Sequence, residues 1–311
     1  MISKLQSHQV SLFVISCIFA VASLACLAVR GLNWSLEFQG GTEIELTLSK
    51  SADPADLVNW LPAGVKLTPV GSHEHYLLRY PIQVDQEESD LIQSTQSILT
   101  QKGYTSTILS SSQVGAEFSQ SMLQESYTAL AAVFVGILLY VSIRFEWRLA
   151  LGATLSLLFD PCIILGCFAF FGWKFDLPSI MGLLSVIGYS INDTIVVFDR
   201  FRENLEHMEG TSEDVFYRSL NQIFTRTILT SLLTSFVIIA LFIFRTDALI
   251  GFALSFGIGI VTGTLSSLII AGPFALWLGI QKEHLYPPID PTLHDPLFDR
   301  EFKNNKQDDD E

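Results

Sequence analysis

Residues 188–204 read GYSINDTIVVFDRFREN. An apolar run, residues 180–187, leads into them, and a cluster of charge follows. Asp193 stands in between, flanked by Asn192 and Thr194. The chain around this stretch is 49% hydrophobic and only 16% charged, with a mean hydropathy of +0.40. A soluble domain of this size is rarely so apolar, so the run reads as a membrane helix and Asp193 as a carboxylate inside it. Six apolar spans fit that reading, at roughly 9–29, 125–143, 149–171, 179–198, 227–244 and 248–279. A crossing takes about 20 apolar residues, and each span can supply it. The first is too long for a cleaved signal peptide and is followed by five more. Residues 23–26, SLAC, are a poor lipoprotein-type cleavage site.

Lysine and arginine orient the spans. With the N-terminus inside, the inner segments hold Lys4, Arg144, Arg148, Arg200, Arg202, Arg218, Arg226, Lys282, Arg300, Lys303 and Lys306. The two short outer loops hold Lys174 and Arg245. Both termini are therefore expected in the cytoplasm. Four parts follow: residues 1–30 as the N-terminus and first span, 31–123 as an outer α+β domain, 124–281 as spans two to six, and 282–311 as an acidic tail. The net charge of −14 lies largely in the outer segment and in the tail, which is expected to be disordered. No basic patch marks a nucleic-acid partner. No Walker loop or GxGxxG is present, so no nucleotide or other cofactor is expected. Cys17, Cys26, Cys162 and Cys167 fall within apolar runs and read as small buried hydrophobes, not as a disulfide or metal framework.

The outer segment alternates between strand and helix signals. Residues 42–48 alternate polar and apolar as a half-buried strand does. Ser51 to Pro54 open a helix over 55–61, and residues 65–70 and 76–84 read as strands. Helical spacing over 90–101 ends at Gly103, and 104–109 is a last strand. The order β-α-β-β-α-β is the split arrangement of ferredoxin-like domains. The fold class is thus a six-helix membrane protein with a small α+β domain between helices one and two. His73, Glu74 and His75 read as a solvated turn, since no second ligand cluster accompanies them.

A charge at bilayer depth costs about 2.5–3.5 kcal/mol on insertion scales and usually faces a protein interior. Helical spacing puts Tyr189 and Ser190 on the side of Asp193, while Asn192 points about 100° away. Asp193 stands about 9 Å deeper than Asp199, further than its short side chain reaches comfortably. It reads as functional, with headgroup contact as the alternative. Arg226, at the mouth of span five, is its natural partner, with Thr230 and Thr234 on the same face; Arg226 also fits a plain inner-face anchor. Asp160, ahead of Pro161 in span three, is a third ionisable candidate or else a hydrated carboxylate at a kink. Burial and a nearby arginine act on an aspartate in opposite directions, so such a group can load and release protons. Asp193, Asn192 and Ser190 also offer oxygen ligands, which leaves sodium open in place of the proton. Gly251, Ser255, Gly259, Gly263, Ser267 and Ala271 recur every four residues in span six, a ridge for close helix packing or sliding.

Four stretches carry a resemblance to the SecF family of bacterial protein-export subunits. Residues 36–42, LEFQGGT, resemble its D-F-x-G-G-T element, and 114–117, VGAE, an element before the second span. Residues 144–148, RFEWR, resemble its turn between spans two and three, and 188–200 are the most specific match. The likeness runs from about Asn33 to Pro273. It implies proton-coupled roles for Asp193 and Arg226, to which the reading of the residues themselves adds Tyr189, Ser190, Asn192 and Asp160 as relay candidates, and a hinge at Gly40 and Gly41. It also implies a bacterial inner-membrane location. The implied partners are SecD, the SecYEG channel, YajC, an unfolded polypeptide, protons and lipid. Glu37, Gln39 and the Phe159-Asp160-Pro161 run depart from the family pattern. Two rival functions stay open here: half of a proton-driven exporter of small molecules or lipids, and a structural scaffold.

Overall fold

The first span forms α1 (Gln9–Arg30), which ends where Arg30 donates to the Phe170 carbonyl at 2.7 Å. A computed structural model describes residues 9–70, 74–82, 88–244 and 247–285. His73, residues 83–84 of the expected strand, Arg245 and the acidic tail beyond Leu285 lie outside them. After α1 come β1 (Asn33–Trp34), the single turn α2 (Leu36–Gln39) and β2 (Gly41–Leu48). Next is α3 (Pro54–Trp60), where Asp53 caps the helix by accepting from the Ala55 amide and Pro54 supplies a pre-set first turn. β3 (Lys66–Pro69), β4 (His75–Tyr80), α4 (Glu88–Gln101) and β5 (Ser106–Val114) complete this region.

The four strands lie in the order β3-β4-β2-β5, all antiparallel, with α3 and α4 as crossovers. This is the ferredoxin-like order the alternation predicts. Ile44, Leu46 and Leu48 point to one face, where Tyr76, Leu78 and Tyr80 of β4 and Leu91 and Leu99 of α4 close a dry core. The last strand is longer than expected. It continues through Ser110, Ser111 and Ser112, which carry no apolar alternation, because β2 offers backbone pairing as far as Gly41 opposite Val114.

Five long helices follow. α5 (Ala116–Arg144) and α6 (Trp147–Phe171) flank the RFEWR turn, where Glu146 caps α6 and also binds the Arg148 guanidinium at 2.9 Å. β6 (Lys174–Phe175) leads to α7 (Leu177–His207), then α8 (Ser212–Ile243) and α9 (Ile250–Ser266). The last span continues through a π-helical turn (Ser267–Ala271) into α10 (Gly272–Trp277), followed by the short α11 (Lys282–Leu285). Among the described residues, six helices are long and apolar enough to cross a membrane. Residues such as Phe19, Ile143, Phe236 and Val237 stay exposed, as lipid-facing side chains do.

Two helices outrun their apolar cores. α7 extends to His207, and α8 begins at Ser212, well before the apolar stretch that opens at 227. Both ends are polar outside but bury Phe201, Leu205, Val215 and Phe216 between them, so packing sustains helix where hydropathy falls. The turn between them is fixed by Thr211, which accepts from the Asp214 amide. Another element leaves no pattern in the sequence: β1 pairs in parallel with β6, Asn33 beside Lys174 and Trp34 beside Phe175. Two residues are too few to show a period.

Candidate functional site

The site is built on the line where α9 runs against α7. Asp176 opens α7 with a capping box, its carboxylate accepting from the Ser179 amide at 2.9 Å. Gly251 lies directly over this cap: a Cβ there would stand 2.2 Å from the Asp176 carboxylate. One turn on, Gly182 of α7 backs onto the Phe252 carbonyl, and Ser255 is fully buried. A Cβ on Gly259 would fall 1.9 Å from Val186, and one on Gly263 would touch Ser190 at 3.1 Å. Ser267 and Ala271 complete the stripe, and both are buried. The four-residue period therefore marks a seam without room for side chains, where the two backbones meet.

The seam brings Asp160 to Ser190. Asp160 is fully buried, and the Ser190 hydroxyl donates to its Oδ2 in a short hydrogen bond. Its Oδ1 has no hydrogen-bond partner. α6 continues as helix through Pro161, and Asp160 is buried at the helix junction. Gly263 makes this possible, since its missing side chain leaves the space beside Asp160 Oδ2. Close by, Ser156 of α6 donates to Ser266 at 2.9 Å.

Asp193 follows Ser190 by one turn and is 6% exposed. Its Oδ2 also lacks a partner. Arg226 acts on it electrostatically from α8, but no ion pair within 4.0 Å joins them. Arg226 is itself exposed. Asn192 is exposed too and is not brought to the carboxylates. Tyr189 turns toward α8, where its hydroxyl donates to Ser231 at 3.3 Å, and Ser231 in turn meets Thr264 of α9 at 2.7 Å. The structure thus splits the expected stripe, with Ser190 facing Asp160 and Tyr189 facing a separate hydroxyl pair.

Thr230 and Thr234 bond back to carbonyls of their own helix, so they link no helices through these bonds. Interhelical links run instead from Ser190 to Asp160, from Ser156 to Ser266, and from Tyr189 through Ser231 to Thr264. A hydroxyl in an apolar span is visible in sequence, but its partner is set by which helices become neighbours. Gly40 and Gly41 have φ of 68° and 111°. A Cβ on Gly41 would stand 2.2 Å from the Tyr80 carbonyl, so the position excludes any other residue. Among the described residues, no group of three or more His, Cys, Asp or Glu comes together as metal ligands would.

Residues 94–281 match the family described as protein export membrane protein SecD/SecF, C-terminal, and residues 27–52 match the SecD/SecF GG motif. The chain is 39% identical over 282 residues to the protein translocase subunit SecF of Vibrio alginolyticus, covering 89% of this chain and 90% of that one. It is 38% identical over 280 residues to the SecF of Escherichia coli O157:H7, covering 88% and 87%. Among solved structures it resembles SecDF, a translocon-associated membrane protein from Thermus thermophilus, with a TM-score of 0.75 at 28% identity. That likeness covers 88% of this chain and 38% of the longer SecDF chain. Against SecDF in a super-membrane-facing form, at the same identity and coverage, the TM-score is 0.61.

Proposed function

This chain belongs to the SecF protein translocase subunits of the SecD/SecF family, and we propose that with SecD it uses the proton motive force to promote late-stage protein translocation across the bacterial inner membrane. It is a multi-pass component of the export machinery, a transport subunit rather than a catalytic enzyme. In this reading both termini are cytoplasmic and the α+β region is periplasmic. SecD supplies the other half of the membrane body, since the chain spans 38% of the solved SecDF chain. The SecYEG channel, with YajC, delivers the unfolded polypeptide.

One observation carries the reading. Asp193 is buried in a membrane helix with a carboxylate oxygen that has no partner, and the nearby Arg226 does not close an ion pair with it. An uncompensated charge there is costly. Two events relieve it: uptake of a proton, or approach of Arg226. Each favours a different arrangement of α7 and α8, so proton passage drives movement. Asp160 and Ser190 form a second station one turn away on the seam with α9. Gly40 and Gly41 let the α+β region swing in response and resist backsliding of the emerging chain.

The test is photo-crosslinking from the α+β region during export in inner-membrane vesicles containing this chain and SecD. The expected adducts are to the exported polypeptide, and they diminish when the gradient is collapsed. Adducts to lipid or small molecules in a membrane groove, with none to polypeptide, would contradict the proposal and favour a small-molecule exporter.

A further inference from the structure

Among the described residues, the main core of the membrane helices and the core of the sheet are separate, with a break between them. Phe38, with Leu32 and Trp34 against it, packs into the membrane core, whereas Ile44 and the residues after it in β2 belong to the sheet core. The chain crosses the break at Gly40–Gly41 and again where β5 passes into α5 at Gly115. A crevice of about 430 Å³ lies along it, lined by Gln39, Gly40, Lys66, Arg79 and Ile82. On the membrane side the β1–β6 strap is bound apolarly, Trp34 packing edge-to-face on both Phe38 and Phe175. Ionic and polar contacts span the break there. Lys174 of β6 meets Glu43 Oε1 at 3.1 Å, and Arg79 of β4 meets Glu43 Oε2 at 2.9 Å while donating to the Trp34 carbonyl at 2.9 Å.

We propose that Glu43 is a positioning residue: with Lys174 and Arg79 it forms a releasable ionic latch that holds the sheet in this pose against the membrane helices. Arg79 keeps the Glu43 carboxylate aimed, and Lys174 is the half that lets go. The Lys174 side chain is 41% exposed, so water and salt compete for it, unlike the aromatic strap beside it. Lys174 is also two residues from Asp176, the cap of the helix that carries Asp193. A displacement of that helix end therefore reaches the latch directly. The latch deepens the reading that α7 moves, and its test needs neither gradient nor export, so the two can fail separately.

The test uses the full chain with SecD, the four native cysteines replaced by serine, and spin labels at Ser97→Cys on α4 and Phe171→Cys at the end of α6. Lys174→Glu and Glu43→Gln are each expected to shift or broaden the inter-label distance distribution in the same direction. Lys174→Arg keeps the native distribution, and raising salt moves the wild type toward the variants. Glu45→Gln is the control: this carboxylate lies on the same strand but binds His75 and Ser110 inside the sheet, and its loss leaves the distribution unchanged. An unchanged distribution in Lys174→Glu overturns the latch. So does an effect of Glu43→Gln alone, which would place the role of Glu43 inside the sheet through Arg79, and so does an equal effect of Glu45→Gln.

Discussion

Two aspartates in the membrane helices are withdrawn from solvent by different means. Each keeps one unpartnered oxygen; Asp160 receives the Ser190 hydroxyl on its other oxygen, whereas Asp193 has Arg226 as its charged neighbour. Removing a donor from a buried carboxylate costs about 1–3 kcal/mol. Ser190→Ala should lower the stability of the helical body by that order, read as thermal unfolding in detergent. The loss should be smaller in an Asp160→Asn background, where the acceptor is uncharged. Equal losses in both backgrounds would make the bond incidental. In the α+β region Thr95 donates to the Leu91 carbonyl, so the 2.7 Å contact with Tyr80 must have the tyrosine as donor. Burial pushes the Tyr80 phenol above its ordinary 10.0. The neutral phenol is thus favoured by folding. Its contribution is complete below pH 10.0 and lost as pH rises through the higher folded value. Alkaline titration of stability should fall more steeply for the wild type than for Tyr80→Phe; parallel curves would exclude Tyr80 as the cause.

Elements were legible where they carry a period. The span-six ridge could be read because small residues recur every four positions, and each ridge position is buried, the first four of them along α7. The π-helical turn within the same span was not legible, since Ser267 to Ala271 look like ordinary helix. The seam makes a specific prediction. Gly259→Ala should lower the unfolding temperature sharply, because its Cβ would enter the space of Val186. Val186→Ala opens that space, so the double variant should be more stable than the sum of the two single losses implies. Simple additivity would mean that the helices can separate without cost. The polar ends of α7 and α8 were missed for the opposite reason: tertiary packing of Phe201 against Phe216 sustains them, and hydropathy alone is blind to that.

At the scale of the whole molecule, an α+β region rests on a bundle of membrane helices, and the two meet at a glycine pair, a two-residue strap and an ionic contact. The presence of both parts was legible from hydropathy and alternation. Their junction was not, because Asn33, Trp34, Glu43, Lys174 and Phe175 are far apart in the chain and form no motif. The same holds for the candidate site: Asp193, Arg226 and Asp160 stand out as charges in apolar runs, but only the fold separates Asp160 with Ser190 from Asp193 with Arg226. If the site drives the region beyond the glycines, the titratable group at Asp193 is indispensable. The direct measurement is export into inner-membrane vesicles with and without a proton gradient, comparing the wild-type chain plus SecD with Asp193→Asn. Asparagine keeps the size and removes the titration. Asp193→Asn is expected to assemble normally but to export no faster with a gradient than without one. An undiminished response to the gradient in Asp193→Asn would contradict it and leave Asp193 a structural residue.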